Sequence, residues 1–183
     1  MALKKLPSKD INKLISQHIS TEEWRPTAIT IKELTHTKSN GYLSKDDLFK
    51  IARWKAPRSA WRVNENTSAQ IKKLTTRAFA EKDEANKMKL LLELKGIGIP
   101  MASAILMLTN PKKYGVIDIR VWQLLHHTGA VNQNKAGINF TVQQWLAYLD
   151  FIRMQAKKLN VKARDIDRTL FLLHKDYQQG TLK

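Results

Sequence analysis

Two features between residues 91 and 125 are of types that could do chemistry. The run Leu94-Lys95-Gly96-Ile97-Gly98 joins an apolar helical pattern over about 84–93 to another over about 100–109. A link that short predicts a tight hairpin. Its glycines permit a turn that side chains would block, and they bare the backbone amides. Bared amides beside a helix N-terminus suit a phosphate oxygen. Lys95, Gly96, Ile97 and Gly98 are therefore candidate contacts for a nucleic-acid backbone, gripped without reading bases. A plainer reading is that any short link between two packed helices favours glycine. Further on, Asp118 stands immediately before another helical run. Aspartate is a favoured N-cap there, worth about 1 kcal/mol. Capping also fixes a carboxylate in place, which an active site needs.

The elements that must position these residues read as helices throughout, with almost no strand alternation. Ser8 is placed to cap a first helix whose face carries Ile11, Leu14, Ile15 and His18 or Ile19. Residues 20–43 read as irregular, with Trp24, Pro26 and Asn40-Gly41 as breaks. Ser44 and Asp47 form a capping signature for a helix that Pro57 ends. Further helices are expected from Thr67 and Glu84. Pro100 suits the first turn of the helix after the hairpin, and Asn110-Pro111 breaks that helix. The run that follows Asp118 closes at Gly129, Thr141 and Gln144 form a second capping box, and a last helix covers about 164–178. The expectation is one compact all-α unit over 1–183 with a central cleft, built as a single body or as two small lobes that share the cleft.

Composition narrows the chemistry. Among 183 residues there is no cysteine, which removes disulfides, thiolate zinc sites and iron–sulfur clusters. Lys plus Arg number 32 against 16 Asp plus Glu, a net charge of +16 that favours a polyanionic partner through counterion release. The excess runs through all thirds of the chain, so it belongs to the folded body. No apolar run approaches membrane-spanning length. The start, MALKKLPSKD, lacks an apolar stretch after its lysines, which points to a cytoplasmic location without a membrane.

The block LLELKGIGIPMASAILMLTNPKKYGVIDIRVWQLL resembles the helix-hairpin-helix DNA-glycosylase superfamily. In that family the hairpin reads L-P-G-V-G-x-K-T-A or similar, and a V-D-x-H or V-D-x-R segment follows with the catalytic aspartate. Leu94, Gly96, Ile97, Gly98 and Ala102 fall on the hairpin positions, and Ile117-Asp118-Ile119-Arg120-Val121 falls on the aspartate segment. Bifunctional members carry a lysine about eighteen residues before the aspartate, and Pro100 and Asp118 are 18 apart. Arg53-Trp54-Lys55-Ala56-Pro57-Arg58 and Asp165-Ile166-Asp167-Arg168-Thr169-Leu170 resemble a group of small bacterial proteins in the same superfamily whose chemistry is not established. The likeness covers about residues 42–178. The first 40 residues carry no motif.

The resemblance implies a helix-hairpin-helix bundle that binds double-stranded DNA, with Asp118 catalytic and no cofactor. An anion at Asp118 suits cleavage of a base–sugar bond, because the bond breaks with positive charge on the sugar and the carboxylate can also align water. Proline at position 100 departs from the pattern and removes the Schiff-base lysine, so water attack is expected and strand cleavage is not. The family also implies an alkali cation on the carbonyls of Leu94 and Ile97. Two alternatives stay open: a DNA-binding protein that keeps the fold without the chemistry, and a basic RNA-binding or protein-interaction module.

Other cations are weighed with these. The segment R-W-K-A-P-R-S-A-W-R, residues 53–62, interleaves rings and charges in a way that suits phosphate contact and stacking. Trp54 is expected in the core and Lys55, Arg58 and Arg62 near the cleft. Lys112 and Lys113 could touch phosphate or be ordinary loop lysines. Arg120, in the first turn after Asp118, either pairs with a carboxylate or reaches DNA. His126-His127 lack the spacing of a helical metal site and suit a helix C-terminus.

Overall fold

The computed structural model describes residues 6–179, and among them ten α-helices and one 3-10 helix account for the regular structure, with no β-strand. The all-α expectation holds. Helix α7 (Ile99–Thr109) is the axis of the fold, with every residue from Met101 to Thr109 buried. A helix that is apolar all round must be covered all round. Helices α2 (Arg25–Glu33), α4 (Lys45–Lys55) and α6 (Glu84–Leu92) pack on it, and α5 (Ser68–Ala80) packs on α6 and α4. On the other side α10 (Ala163–Tyr177) packs against α8 (Ile119–His127), α9 (Val142–Leu159) and α1 (Ile11–His18). Buried apolar residues from Leu6 to Leu173 join in one cluster.

The capping predictions hold where both partners are close in sequence. Ser44 with Asp47 and Thr141 with Gln144 each form a reciprocal box, and Thr67 with Gln70, for which no box was expected, forms a third. Two expectations are corrected. The cap of α1 is Asp10, whose carboxylate accepts from the amides of Asn12 and Lys13 at 2.9 and 3.3 Å. Ser8 instead accepts from the Asp10 amide. Residues 20–43 are not irregular throughout, because α2 and the one-turn α3 (Thr37–Asn40) lie inside them. Pro26 sits in the first turn of α2, where a missing N–H costs nothing, so it starts a helix instead of breaking one. Gly41, at φ 74°, does end α3. Pro57 ends α4 and opens a 3-10 helix, Pro57–Glu65. No helix among the described residues is long and apolar enough to cross a membrane.

Candidate functional site

The hairpin forms where the sequence places it. The Ile97 amide donates to the Leu94 carbonyl at 3.2 Å, and Leu94 and Ile97 bury their side chains as anchors. Gly96 adopts φ 77°, and a Cβ there would lie 2.9 Å from the Arg62 Cβ. Glycine is thus required at 96 for conformation and for close approach. Gly98 differs from expectation: its φ of −100° suits any residue. A Cβ at Gly98 would meet only the Pro100 Cδ, at 4.0 Å. The amides of Gly96, Gly98 and Ile99 take no acceptor among the described residues, so the turn does present bare donors. Since the Leu94 carbonyl already accepts the turn bond, an alkali cation rests on the resemblance alone.

Asn66 holds the hairpin, and no sequence motif marks it. Its side chain is buried, accepting from the Lys95 amide at 2.8 Å and donating to the carbonyls of Lys95 and Val63, both at 2.9 Å. The 3-10 helix is thereby clamped to the turn, with Arg62 against Gly96 and the Arg62 guanidinium 5.7 Å from the exposed ring of Trp61. Arg62 lies at the hairpin and not in the cleft that contains Asp118. Arg58 is exposed on the same 3-10 helix. Lys112 and Lys113 follow the far end of α7, about 16 Å from the hairpin by helical rise. Their backbone carbonyls accept from Ala163 and Arg153. The fold does not bring them to the hairpin.

After α7 the chain turns at Asn110 and runs back along the helix, so that the Ile117 amide donates to the Ser103 hydroxyl at 3.2 Å. Gly115 permits this return. A Cβ there would meet the Tyr148 hydroxyl at 2.5 Å and the Asp167 Cβ at 2.6 Å. Asp118 then caps α8, its Oδ1 accepting from the Val121 amide at 3.0 Å. Its Oδ2 faces the Lys55 ammonium across 3.6 Å, and both side chains are about four-fifths buried. Together they line a cleft of about 730 Å³ bounded by the start of α2, the end of α4 and α10. Trp54 is half-buried in its wall, with its indole N–H on the Thr27 hydroxyl at 3.0 Å. Pro100 is not among the residues that line it.

The cleft floor is an ionic network that the sequence reading missed. Asp167 is buried, accepting from the Tyr148 hydroxyl at 2.8 Å and paired with Arg164. Burial raises its carboxyl above the ordinary range, against the opposing pull of Arg164, Tyr148 and the Val116 amide; Asp118 nearby adds to the rise. Arg164 also holds Glu23 at 2.7 Å, and Arg168 meets Glu23 at 3.1 Å and Asp165 at 3.3 Å. Burial pushes the Glu23 carboxyl up, but the two arginines outweigh it and hold it below its usual value. Behind Asp118, His174 is fully buried. Burial, then the charge of Arg120, lowers its pKa to about 4, against the pull of Asp118. Arg120 itself lies 5.6 Å from the Phe171 ring and donates to the Gln178 side chain, so it braces α8 against α10.

Among the described residues no three histidine or carboxylate side chains cluster to hold a metal. No family model, curated protein or solved structure matches the chain.

Proposed function

We propose that this protein binds double-stranded DNA and hydrolyses the N-glycosidic bond of a damaged or modified base, leaving an abasic site. The observation that carries the reading is the setting of Asp118: a carboxylate fixed by its own helix cap, inside a cleft of nucleotide-accepting size. A base turned out of the duplex enters that cleft. As the base departs, the anion at Asp118 stabilises the cationic sugar and aligns the attacking water. The hairpin amides, with Lys95 in the turn and Arg62 against Gly96, hold the DNA backbone, and Arg58 on the same 3-10 helix adds exposed charge. Among the described residues no carboxylate pairs with these three cations, which leaves them available to phosphate.

The test incubates the protein with duplexes bearing oxidised, alkylated, deaminated or hypermodified bases, followed by alkali to reveal abasic sites. Release by wild type and not by Asp118→Asn, with DNA binding retained, supports the mechanism. Equal release by both removes Asp118 from it. A non-catalytic DNA-binding protein is the second reading, and one observation favours it: Lys55 already neutralises Asp118. Binding with no reaction across a broad panel makes that the better account.

A further inference from the structure

The segment before α2, which carries no recognisable motif, is fastened to α10 at several points. The Ser20 amide donates to the Thr169 hydroxyl at 3.1 Å, and Arg168 donates to the Ser20 carbonyl. Glu23 receives Arg164 through two nitrogens at 2.7 and 3.2 Å, and its Oε1 also accepts the Trp24 amide at 3.0 Å. The backbone of Trp24 is therefore pinned on one side by this carboxylate and on the other by the first turn of α2, where its carbonyl accepts from Ala28. Yet the indole so carefully placed is 68% exposed. It lines the cleft that holds Asp118, together with Trp54 and Phe171.

A tryptophan left in water forgoes the burial that is its main contribution to stability. With its backbone pinned at the mouth of a cleft, it is placed instead as a stacking face for which part of the ordering cost, that of the main chain, is already met in the free protein. Resting on the DNA reading above, we propose that Trp24 is the platform on which the extruded nucleobase stacks, which makes the 20–24 segment the wall that recognises the base. Stacking on an indole needs only a planar heteroaromatic ring, so this contact selects an unpaired base over a paired one without choosing among the four.

The experiment compares affinities for a fully paired duplex and for duplexes with one bulged adenine, guanine, cytosine or thymine. Trp24 is exposed, so its replacement leaves the fold intact. Wild type is expected to prefer the bulged duplexes, and Trp24→Ala to weaken that binding about 5- to 150-fold while leaving the paired duplex unchanged. Trp24→Phe keeps most of the preference. Trp61→Ala, at the hairpin, leaves the ratio of the two affinities as it is. An unchanged ratio in Trp24→Ala overturns the proposal, as does a wild type that binds paired duplex without preferring a bulge; in both cases the DNA reading stands. Failure to bind even the paired duplex overturns both.

Discussion

The hairpin and the cleft both handle charge, and they are built in opposite ways. The hairpin draws on five consecutive residues, one left-handed glycine and bare backbone amides, and its neighbour Arg62 is exposed beside it. The cleft is assembled from side chains far apart in sequence, and its deep cations, Arg164 and Arg168, are already paired with Glu23, Asp165 and Asp167. Charge left open at a turn can meet an incoming polyanion without rearrangement. Charge closed into a network holds walls in place. Positive residues thus divide into those that recruit and those that build, and net charge alone does not tell them apart.

Substitutions can separate the two regions. The largest effect is expected from Asp118→Asn, which keeps the cap because asparagine serves as well there. Base release should fall about 10²- to 10⁴-fold with DNA affinity preserved. Next is the cleft's response to acid. His174 titrates at its ordinary 6.5 when unfolded and at about 4 in the fold. The unfolded chain therefore binds the proton first, and stability falls as pH drops from 6.5 to about 4, by up to about 3 kcal/mol. Melting temperature against pH should show this slope, and His174→Phe should flatten it. Glu23, with its lowered pKa, adds a loss at lower pH, while Asp167, with a raised one, works against it.

Gly115→Ala, which forces a methyl against Tyr148 and Asp167, should cost about 1–3 kcal/mol in denaturant unfolding. At the hairpin Gly96→Ala should cost about 1–2 kcal/mol and weaken salt-dependent DNA binding. The smallest effect is Gly98→Ala, within about 0.5 kcal/mol of wild type in stability. A large loss at Gly98 would mean that both glycines serve the turn and would blur the contrast. Sodium borohydride with an abasic duplex sharpens it further. Hydrolytic chemistry predicts no trapped adduct, and an adduct mapped to Lys55 would show that an amine acts beside Asp118.

What the sequence made legible follows the same division. Ser44 with Asp47 and Thr141 with Gln144 lie three residues apart, so cap chemistry was visible from the residue types alone. The hairpin and the Asp118 cap are local in the same sense. Pro26 misled because proline both ends helices and begins them, and composition does not say which. Gly115, Asn66 and Glu23 were invisible for a common reason. Gly115 is needed for what passes over it, Asn66 for a carbonyl 29 residues away and Glu23 for an arginine 141 residues away. No short pattern encodes such partners. Lys55 lines the cleft, and its pairing with Asp118 depends on the return of the chain along α7, which no local pattern encodes.

The bond from Glu23 to Arg164 also sets an order in time. During synthesis, at about 5–20 residues per second, the partner that fixes Glu23 emerges on the order of ten seconds after it. The hairpin's contacts with Asn66 and Arg62 are complete well before that. A nascent chain therefore fastens its hairpin turn while the wall of its cleft is still open, and the chamber around Asp118 closes only when α10 arrives.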